Sequence, residues 1–286
     1  MKIGVVGVGI VGGATAKVLG KKHELFLYDK FKPEYCAEER LKDLILNSEV
    51  IFICVPTPMK VTGEIDYSSV YNSIEQIIQE AANIKKNPQE MLIVIRSTAV
   101  SGTTDRLVWK YPFRFAFNPE FLREKYAVED MENTDRVVIG ANDERSISQL
   151  RNVYEPLFPN AKYIIVTRKE AEMIKYAANV TLASQVTIAN EIYQVCKAAG
   201  INYETVKNAI LLDPRIGRNI DVPGHDGDFG FGGKCFPKDL KALIRLAQEN
   251  EYEPYLLQEI WRTNEKVRKG KDWLDIKGAT SKNNYL

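Results

Sequence analysis

The residues best suited to chemistry lie in the decapeptide Gly-Phe-Gly-Gly-Lys-Cys-Phe-Pro-Lys-Asp at positions 230–239. Cys235 follows a glycine turn and precedes a predicted helix, in which Pro237 fits the first turn because its missing N–H costs nothing there. A thiol at a helix N-terminus lies near unpaired N–H groups and the positive end of the dipole, and both favour the thiolate. Asp239 follows on the same helix face. The pattern predicts a nucleophilic cysteine, with a buried core cysteine as the alternative.

The bulk composition is that of an ordinary globular protein, and 286 residues are enough for two domains. The net charge of +1 gives no general attraction for nucleic acid or for an anionic membrane. Four cysteines are scattered without paired spacing, no secretory leader is seen, and no apolar run approaches the roughly 20 residues that span a bilayer. We therefore predict a cytoplasmic protein. Because the sequence has only two histidines, we predict no metal site.

The N-terminal segment has the order strand, glycine turn, helix, strand, acid that is typical of a dinucleotide-binding unit. Residues 2–6 and 24–28 read as buried strands, and Gly7-Val8-Gly9-Ile10-Val11-Gly12 opens the helix between them. A carboxylate at Asp29 would accept hydrogen bonds from a ribose 2′-hydroxyl and repel a 2′-phosphate, so NAD is favoured over NADP. The predicted cofactor contacts here are Gly7, Gly9, Ile10, Val11, Gly12 and Asp29. The alternative is an ordinary glycine-rich turn.

Strands and helices continue to alternate up to about residue 168, which predicts a mostly parallel, doubly wound, Rossmann-like sheet. Further strands are predicted at 50–55, 91–95, 113–117, 136–139 and 162–166, and helices at 68–82 and 143–158. Ligands of such sheets bind at the carboxyl ends of the strands. The residues that the sequence places at those ends are Thr57, Thr98 and the turn Asn118-Pro119-Glu120.

The pattern changes at residues 169–199, which contain neither proline nor glycine and predict one long helix that ends at Gly200. Its apolar stripe consists of Ala171, Ile174, Ala178, Leu182, Ala189, Ile192 and Cys196. The remainder reads as helical apart from a loop at 213–234. We predict an NAD-binding Rossmann-like domain at 1–168 and a central helical domain at 169–286, which carries the long connecting helix and the cysteine loop.

Eight motifs stand in a fixed order along residues 1 to about 265: the glycine turn at 7–12, Cys54-Val55-Pro56-Thr57-Pro58, Arg96-Ser97-Thr98, Asn118-Pro119-Glu120-Phe121-Leu122-Arg123-Glu124, Asp135-Arg136-Val137-Val138-Ile139-Gly140, Lys175-Tyr176-Ala177-Ala178-Asn179, Asp213-Pro214-Arg215-Ile216-Gly217 and the Cys235 loop. Together they resemble the UDP-glucose/GDP-mannose dehydrogenase family, in particular its members that act on UDP-glucose. The Asn-Pro-Glu-Phe-Leu and Gly-Phe-Gly-Gly-x-Cys motifs are highly specific in combination.

The resemblance implies an NAD-dependent oxidoreductase that oxidises the C6 alcohol of a nucleotide sugar twice, to a carboxylate. In such enzymes a cysteine captures the intermediate aldehyde as a thiohemiacetal, and the second oxidation gives a thioester that water hydrolyses. Cys235 matches that nucleophile. The implied catalytic residues are Cys235, Lys175, Asn179, Asp239, Glu120, Glu124 and Thr98. Further cofactor contacts are implied at Val55, Pro56, Thr57, Thr98 and Glu124, and substrate contacts at Phe121, Leu122, Lys175, Asn179, Arg215, Phe231 and Gly232.

Roles within this set also follow from the resemblance. Lys175 and Asn179 resemble the pair that stabilises the C6 oxyanion, and their i,i+4 spacing places both on one helix face. Taken alone, each would be interpreted as a surface residue. The residues implied to handle water and protons are Thr98, Glu124, Asp239 and, during hydrolysis, Glu120. Arg215 matches an arginine that reaches a neighbouring subunit's substrate, which implies a homodimer through the long central helix.

Family members continue through a second sheet domain that closes over the nucleotide, so the resemblance implies a short form that lacks this C-terminal nucleotide-binding domain. Two other functions stay open. One is a single-oxidation β-hydroxyacid dehydrogenase of the 6-phosphogluconate type, which shares the Lys-x-x-x-Asn pair but needs no cysteine. The other is a non-catalytic subunit that binds NAD or a sugar. A dispensable Cys235 would favour the first, and NAD binding without turnover would favour the second.

Overall fold

The computed structural model describes residues 1–60, 62–276 and 279–281. The chain divides into two compact units, each of which has its own core. The sheet unit consists of Met1–Thr57 and Tyr67–Lys175, and the helical unit consists of Pro58–Asp66 and Tyr176–Leu286. The division at residues 168 and 169 that the sequence suggests stays a prediction. Within the described ranges, every helix is too short or too polar to cross a bilayer.

The sheet unit alternates strands and helices along the chain. In order they are β1 (Lys2–Val6), α1 (Ile10–Leu19), β2 (Glu24–Tyr28), α2 (Glu38–Asn47), β3 (Val50–Ile53), α3 (Ser68–Asn83), β4 (Leu92–Ile95), α4 (Thr103–Lys110), β5 (Arg114–Phe117), α5 (Ala127–Glu132), β6 (Arg136–Gly140), α6 (Glu144–Tyr154), β7 (Lys162–Val166) and the start of α7 (Arg168–Ala198). The strands form one sheet in the order β2-β1-β3-β4-β5-β6-β7. The predicted mostly parallel sheet is confirmed.

Two apolar cores cover the two faces of this sheet, which is what makes it doubly wound. Along β3, Val50 and Phe52 belong to one core, and Ile51 and Ile53 belong to the other, since successive side chains point to opposite faces. All four side chains are buried. Parallel strands that are covered on both faces consist of nearly continuous apolar residues, which is why the sequence located them.

The sheet contains one antiparallel step that the sequence did not indicate. β5 and β6 pair antiparallel through Phe117 and Gly140, whereas the other neighbouring strands run parallel. A parallel connection requires a crossover, usually a helix that returns along the face of the sheet. The helix in this connection, α5, has six residues and is too short for that return. The chain therefore reverses direction after the Asn118-Pro119-Glu120 turn.

Among its described residues, the helical unit contains the rest of α7 and three further α-helices, α8 (Tyr203–Ile210), α9 (Phe236–Glu249) and α10 (Tyr255–Val267). α7 ends at Ala198, one residue before the predicted end, and Gly200 follows with a positive φ of 71° that suits a glycine after a helix. α9 packs Leu240 against Phe231 and Ile260 in the core of this unit. No helix or strand occurs within the predicted loop at 213–234, all of which is described.

Candidate active site

The glycine turn between β1 and α1 has the geometry that a dinucleotide requires. Gly7 adopts a positive φ of 87°, and a Cβ on Gly12 would lie 1.8 Å from the carbonyl oxygen of Gly7. Only glycine fits at these two positions. A Cβ on Gly9, by contrast, would meet no heavy atom within 4 Å. The open space at Gly9 lies at the N-terminus of α1, where backbone N–H groups and the helix dipole favour a pyrophosphate.

Asp29, at the end of β2, supports the same turn. Its Oδ2 accepts a hydrogen bond of 2.7 Å from the Val8 N–H, and its Oδ1 accepts one of 2.9 Å from the Phe31 N–H. The carboxylate is therefore held against the glycine turn, where the sequence predicts a ribose hydroxyl. Together with the open space at Gly9, this donor and acceptor set fits NAD.

The glycine turn yields a matched pair of variants. We expect Gly12→Ala to lower the free energy of unfolding by about 3 kcal/mol, because its Cβ overlaps the Gly7 carbonyl. Gly9→Ala should keep the wild-type melting temperature but weaken NAD binding about tenfold or more, since its methyl group fills the space for the pyrophosphate. Thermal unfolding and calorimetric titration with NAD measure the two effects. Wild-type NAD affinity in Gly9→Ala would contradict this placement of the cofactor.

The other predicted cofactor segments lie at neighbouring strand ends. The Ser97 hydroxyl donates to the Val55 carbonyl at 2.6 Å, which ties the Val55-Pro56-Thr57 segment after β3 to the segment that carries Thr98 after β4. Thr57 is buried and Thr98 is half-buried. These contacts bring together four of the predicted cofactor residues at the carboxyl edge of the sheet.

An open cleft of about 540 Å³ lies beside the start of α1. Ile10 lines it from α1, and Glu124 lines it from the segment before α5. Both residues were predicted from the sequence to contact the cofactor, and the structure places both in this cleft. The remaining lining residues are Gly13, Ala14, Lys125, Tyr126, Ala127, Val128, Glu129 and Glu132.

A buried arginine fixes the Asn118-Pro119-Glu120 turn. The Arg96 guanidinium donates to the side chains of Thr15, Asn118 and Tyr154. The Asn118 amide in turn donates to the Val138 carbonyl at 2.8 Å. These bonds satisfy the polar groups beneath the turn and set the direction in which Glu120 leaves it. Arg96 belongs to a motif singled out in the sequence, but it was not predicted as a site residue.

Glu120 forms a buried ion pair with Lys175 of α7. The Lys175 Nζ lies 2.8 Å from Glu120 Oε1, and Glu120 Oε2 accepts a 2.7 Å hydrogen bond from the Leu122 N–H. The two residues are only 8% and 4% exposed. Burial alone would raise the pKa of Glu120, but the charge and hydrogen bond of Lys175, the Leu122 N–H and Arg96 outweigh it and lower that pKa. Glu120 is therefore an ionised carboxylate.

Phe121 lies next to this ion pair. The Lys175 ammonium is 5.7 Å from the centre of the Phe121 ring, and the Arg136 guanidinium is 4.4 Å from it. Two cations over one aromatic ring fix its orientation. Phe121 and Leu122 are both half-buried, and their role of offering backbone contacts to a substrate stays a prediction.

A glutamate that the sequence did not suggest anchors the start of α4, shortly after Thr98. Glu172 of α7 is 0% exposed, and its carboxylate accepts hydrogen bonds from the Gly102 N–H at 2.6 Å and from the N–H and hydroxyl of Thr104 at 2.7 and 2.6 Å. These groups form the start of α4, so Glu172 caps that helix from outside. Its position on α7 gave no sign of this role, because the capped residues are about 70 positions away in the sequence.

Burial raises the pKa of Glu172 from 4.5 to about 7, although its three hydrogen bonds favour the ionised form. The folded protein therefore holds this proton to a higher pH than the unfolded chain does. We expect the free energy of unfolding to fall by about 3 kcal/mol from this group as the pH rises from about 4.5 to about 7, and then to level off. Urea unfolding of wild type and Glu172→Gln across this range measures it. An equal slope in the two proteins would contradict the assignment.

Cys235 in the helical unit is an exposed thiol at the N-cap of α9. Pro237 occupies the first turn of the helix, as predicted. Four positions after the cysteine, Asp239 is 1% exposed and accepts hydrogen bonds of 2.5 Å from the Asn179 amide and from the Lys238 ammonium. The predicted residues Asn179 and Asp239 thus meet directly. Lys238 was missed, although it stands in the same motif as the cysteine.

The remaining predicted substrate residues of the helical unit occupy different surroundings. Phe231 is buried in the core of this unit, and Gly232 is half-buried. Arg215 is exposed and pairs with Asp213 two residues earlier. Within the helical unit, the structure thus brings together Asn179, Asp239 and the start of α9, whereas Arg215 extends into solvent.

Lys175 and Asn179 are one turn apart on α7 but bond to different carboxylates. Lys175 pairs with Glu120 in the sheet unit, and Asn179 bonds to Asp239 in the helical unit. Their i,i+4 relation follows from the unbroken helix. The catalytic roles assigned to these residues stay predictions.

The fold and the two groups of polar residues define a chain with a dinucleotide-binding sheet unit and a cysteine-bearing helical unit. Residues 29–158 match the family model described as the UDP-glucose/GDP-mannose dehydrogenase family, NAD binding domain, and residues 169–266 match the central domain of the same family. The chain belongs to the UDP-glucose/GDP-mannose dehydrogenase family. The predicted family and its NAD cofactor are confirmed.

Curated relatives and solved structures agree with this membership. The chain is 37% identical over 224 residues to the UDP-glucose 6-dehydrogenase of Rickettsia prowazekii, and the aligned region covers 76% of this chain and 49% of the relative. It is 36% identical over 232 residues to UDP-glucose 6-dehydrogenase TuaD of Bacillus subtilis, and here the aligned region covers 78% of this chain and 48% of the relative. The chain thus spans about half the length of the curated relatives it matches.

Among solved structures, a UDP-glucose dehydrogenase from Pyrobaculum islandicum matches with a TM-score of 0.81 and 31% identity, over 93% of this chain and 68% of the other. The ternary complex of GDP-mannose dehydrogenase from Pseudomonas aeruginosa matches with a TM-score of 0.66 and 30% identity, over 93% and 69% of the two chains. These matches support the same fold for nearly the whole described chain.

Proposed function

We propose that this chain is an NAD-dependent dehydrogenase that oxidises the C6 primary alcohol of a nucleotide sugar to a carboxylate, with UDP-glucose as the first substrate to test. The observation that carries the proposal is the exposed Cys235 thiol at the N-cap of α9, in a chain with the family's NAD-binding domain. The names of its relatives from Rickettsia prowazekii and Bacillus subtilis support the choice of sugar. A single-oxidation dehydrogenase would not need this thiol.

The proposed reaction balances as two oxidations and one hydrolysis. When bound, NAD accepts a hydride from the sugar carbon in each oxidation. After the first oxidation, the Cys235 thiolate adds to the aldehyde carbon and forms the C–S bond of a thiohemiacetal. The second oxidation leaves a thioester, which water attacks at carbon, so that the C–S bond breaks and the thiolate is restored. Two NAD and one water are consumed, and two NADH, the carboxylate and three protons are released.

The polar residues that the family resemblance assigns to these steps are proposed to hold charge and protons. Asn179, oriented by Asp239, has a second amide N–H with which it can stabilise an oxyanion, and Lys175 supplies a buried positive charge. Glu120 is ionised and can accept a proton from the hydrolytic water. Asp239, held by Asn179 and Lys238, is proposed to take part in proton transfer near the start of α9.

We also propose that the chain forms a homodimer through α7 and acts in the cytoplasm, where its four cysteines stay reduced. Ile188 and Val195 of α7 are 59% and 61% exposed, and Ile192 between them is also exposed. Their spacing places them on one face of the helix, and Ile192 also belongs to the predicted apolar stripe. Light scattering on wild type and on Ile188→Glu tests this face: a monomer in both proteins would contradict the dimer.

The experiment that tests the proposed function counts NADH, by its near-ultraviolet absorbance, against sugar consumed. The substrates are UDP-glucose, GDP-mannose and their N-acetyl analogues. Two NADH per sugar is the expected result. One NADH per sugar, with full turnover retained in Cys235→Ser, would point instead to the hydroxyacid type. No NADH from any of these sugars, with NAD binding intact, would overturn the enzymatic proposal in favour of a binding subunit.

A further inference from the structure

The loop that precedes Cys235, residues 230–234, is held by side chains that lie far from it in the sequence. The principal one is Asn264 of α10, which is 1% exposed. Its Oδ1 accepts a 2.7 Å hydrogen bond from the Phe231 N–H, and its Nδ2 donates a 3.0 Å hydrogen bond to the Phe231 carbonyl. One side-chain amide therefore satisfies both polar groups of the buried residue Phe231 and fixes it at two points.

A second asparagine acts one residue earlier. Asn190 of α7 is also 1% exposed, and its Oδ1 accepts a 3.0 Å hydrogen bond from the Gly230 N–H. Gly230 has a positive φ of 66°, and a Cβ there would lie 2.2 Å from Asn264 Oδ1. The glycine is thus required both by its conformation and by the close approach of the asparagine.

An ion pair after α10 fixes the end of the loop. Asp272 Oδ2 accepts a 2.9 Å hydrogen bond from the Gly233 N–H, while Asp272 Oδ1 accepts one of 3.0 Å from Arg268. Arg268 also bonds to Asp226 at 2.7 Å. A Cβ on Gly232 would lie 2.2 Å from Arg268 Nη2, so this pair also packs directly against the loop. We call Asn190, Asn264, Arg268 and Asp272 the loop clamp.

The clamp leaves one side of the loop open. A Cβ on Gly233 would meet no heavy atom within 4 Å, and Cys235, two residues later, is exposed. The loop is therefore held from the protein side by hydrogen bonds and packing, and it is accessible from solvent at the residues that precede the thiol.

From these contacts we infer that the loop clamp, and Asn264 in particular, positions Cys235 for attack on the aldehyde carbon. The inference rests on the proposed function, since it needs the cysteine to be the nucleophile. Asn264 and Asp272 are positioning residues, because each bonds to the backbone of the loop that carries the thiol. A misplacement of about 1 Å at a reacting atom costs on the order of 100-fold in rate. Loss of these contacts should therefore slow the steps that use Cys235, namely thiohemiacetal formation and the second oxidation, more than it slows the first oxidation.

The test uses Asn264→Ala and Asp272→Ala in the whole chain, with two comparison variants. Asn264→Ala removes both bonds to Phe231, and we expect kcat to fall on the order of 100-fold. Asp272→Ala removes the acceptor for Gly233, and we expect a fall of about tenfold. Asp272→Asn keeps an acceptor for the Gly233 N–H but presents an amide donor to Arg268 in place of the second acceptor, so it should restore only part of the kcat lost in Asp272→Ala. Asn250→Ala, at the exposed end of α9, is the matched asparagine control and should behave as wild type.

The readout that separates positioning from simple loss of folded protein is the number of NADH released per sugar consumed. A partly unfolded enzyme gives less NADH but keeps the ratio at two. A misplaced thiol lets the aldehyde escape, so the ratio falls toward one, while NAD affinity measured by calorimetry stays unchanged. If Asn264→Ala does not fold, Asp272→Ala decides. Wild-type kcat and a ratio of two in a folded clamp variant would overturn the inference.

Cys235→Ser, run in parallel, keeps the two ideas apart. If Cys235→Ser turns over like wild type, the cysteine route itself fails, and the inference fails with it. If Cys235→Ser is inactive while both clamp variants match wild type, the inference alone fails and the proposed function stands.

Discussion

Replacement of Cys235 by serine is expected to stop the reaction after one NADH per sugar and to lower steady-state turnover on the order of 10³-fold. The substitution changes one atom of an exposed side chain at the N-cap of α9, so the fold should persist. A hydroxyl stays protonated where a thiol ionises, and it cannot form the thioester on which the second oxidation depends. Rapid-quench kinetics with NAD and UDP-glucose measure both the ratio and the rate.

The chain offers a matched control for this variant. Cys36 is also an exposed thiol, but it lies in the segment before α2, where its Sγ contacts the Pro33 carbonyl at 3.6 Å. Cys36→Ser should keep two NADH per sugar and the wild-type rate. Mass spectrometry of the wild-type protein during turnover should find a sugar adduct on the peptide that contains Cys235 and none on the peptide that contains Cys36. Two NADH per sugar from Cys235→Ser at the wild-type rate would rule out the thioester route.

Lys175→Met is expected to lower the free energy of unfolding by about 3–5 kcal/mol at neutral pH and to abolish turnover. Methionine is similar in length but carries no charge, so the Glu120 carboxylate is left ionised and buried without its cation. The double variant Glu120→Gln with Lys175→Met should recover part of the lost stability, because it removes the unpaired charge. Urea unfolding of the single and double variants measures the coupling.

The loss of stability in Lys175→Met should depend on pH, in a direction that the pKa of Glu120 determines. In wild type the pKa of Glu120 is lowered, so the ion pair stabilises the fold above the ordinary glutamate range and stops doing so as the pH falls through the lowered value. In Lys175→Met, burial dominates and should raise that pKa, so the loss of stability relative to wild type shrinks as the pH falls and Glu120 becomes protonated. Lys169→Met, at an exposed position on α7, is the control and should change stability by less than about 0.5 kcal/mol. If Lys175→Met lost the same free energy of unfolding at every pH, the unpaired charge of Glu120 would not be the cause.

The regular parts of the fold were predictable from the sequence because parallel strands buried on both faces give unmistakable apolar runs. β1, which is buried from Ile3 to Val6, begins and ends where the sequence placed it. The edge strands β2 and β7 are less buried but also keep their predicted bounds. The helices α2 and α4 were not predicted, because α2 buries only Leu44 and Ile45 and α4 is a short helix. For both, the stability comes from packing on the sheet rather than from a strong pattern of their own.

For the candidate site, residue types were predictable and partners were not. The motifs pointed to Glu120 and Asp239, but nothing local says that Glu120 pairs with Lys175 or that Asp239 pairs with Asn179, since each pair is separated by more than 50 residues. Asn264 was missed for the same reason. Its surroundings in the sequence are those of an ordinary polar position, and its role exists only once α10 packs beside the cysteine loop.

The segment Pro58–Asp66 has a consequence for how this protein is made. The segment lies early in the chain but belongs to the helical unit, where Met59 hydrogen-bonds to Ala279 and Ser281 and packs with Trp273. Those partners leave the ribosome about 220 residues later, which at about 5–20 residues per second is a delay on the order of 10–40 s. During that interval the apolar surface of Met59 has no native partner among these residues, so this part of the helical unit completes its packing only after the last of them is synthesised.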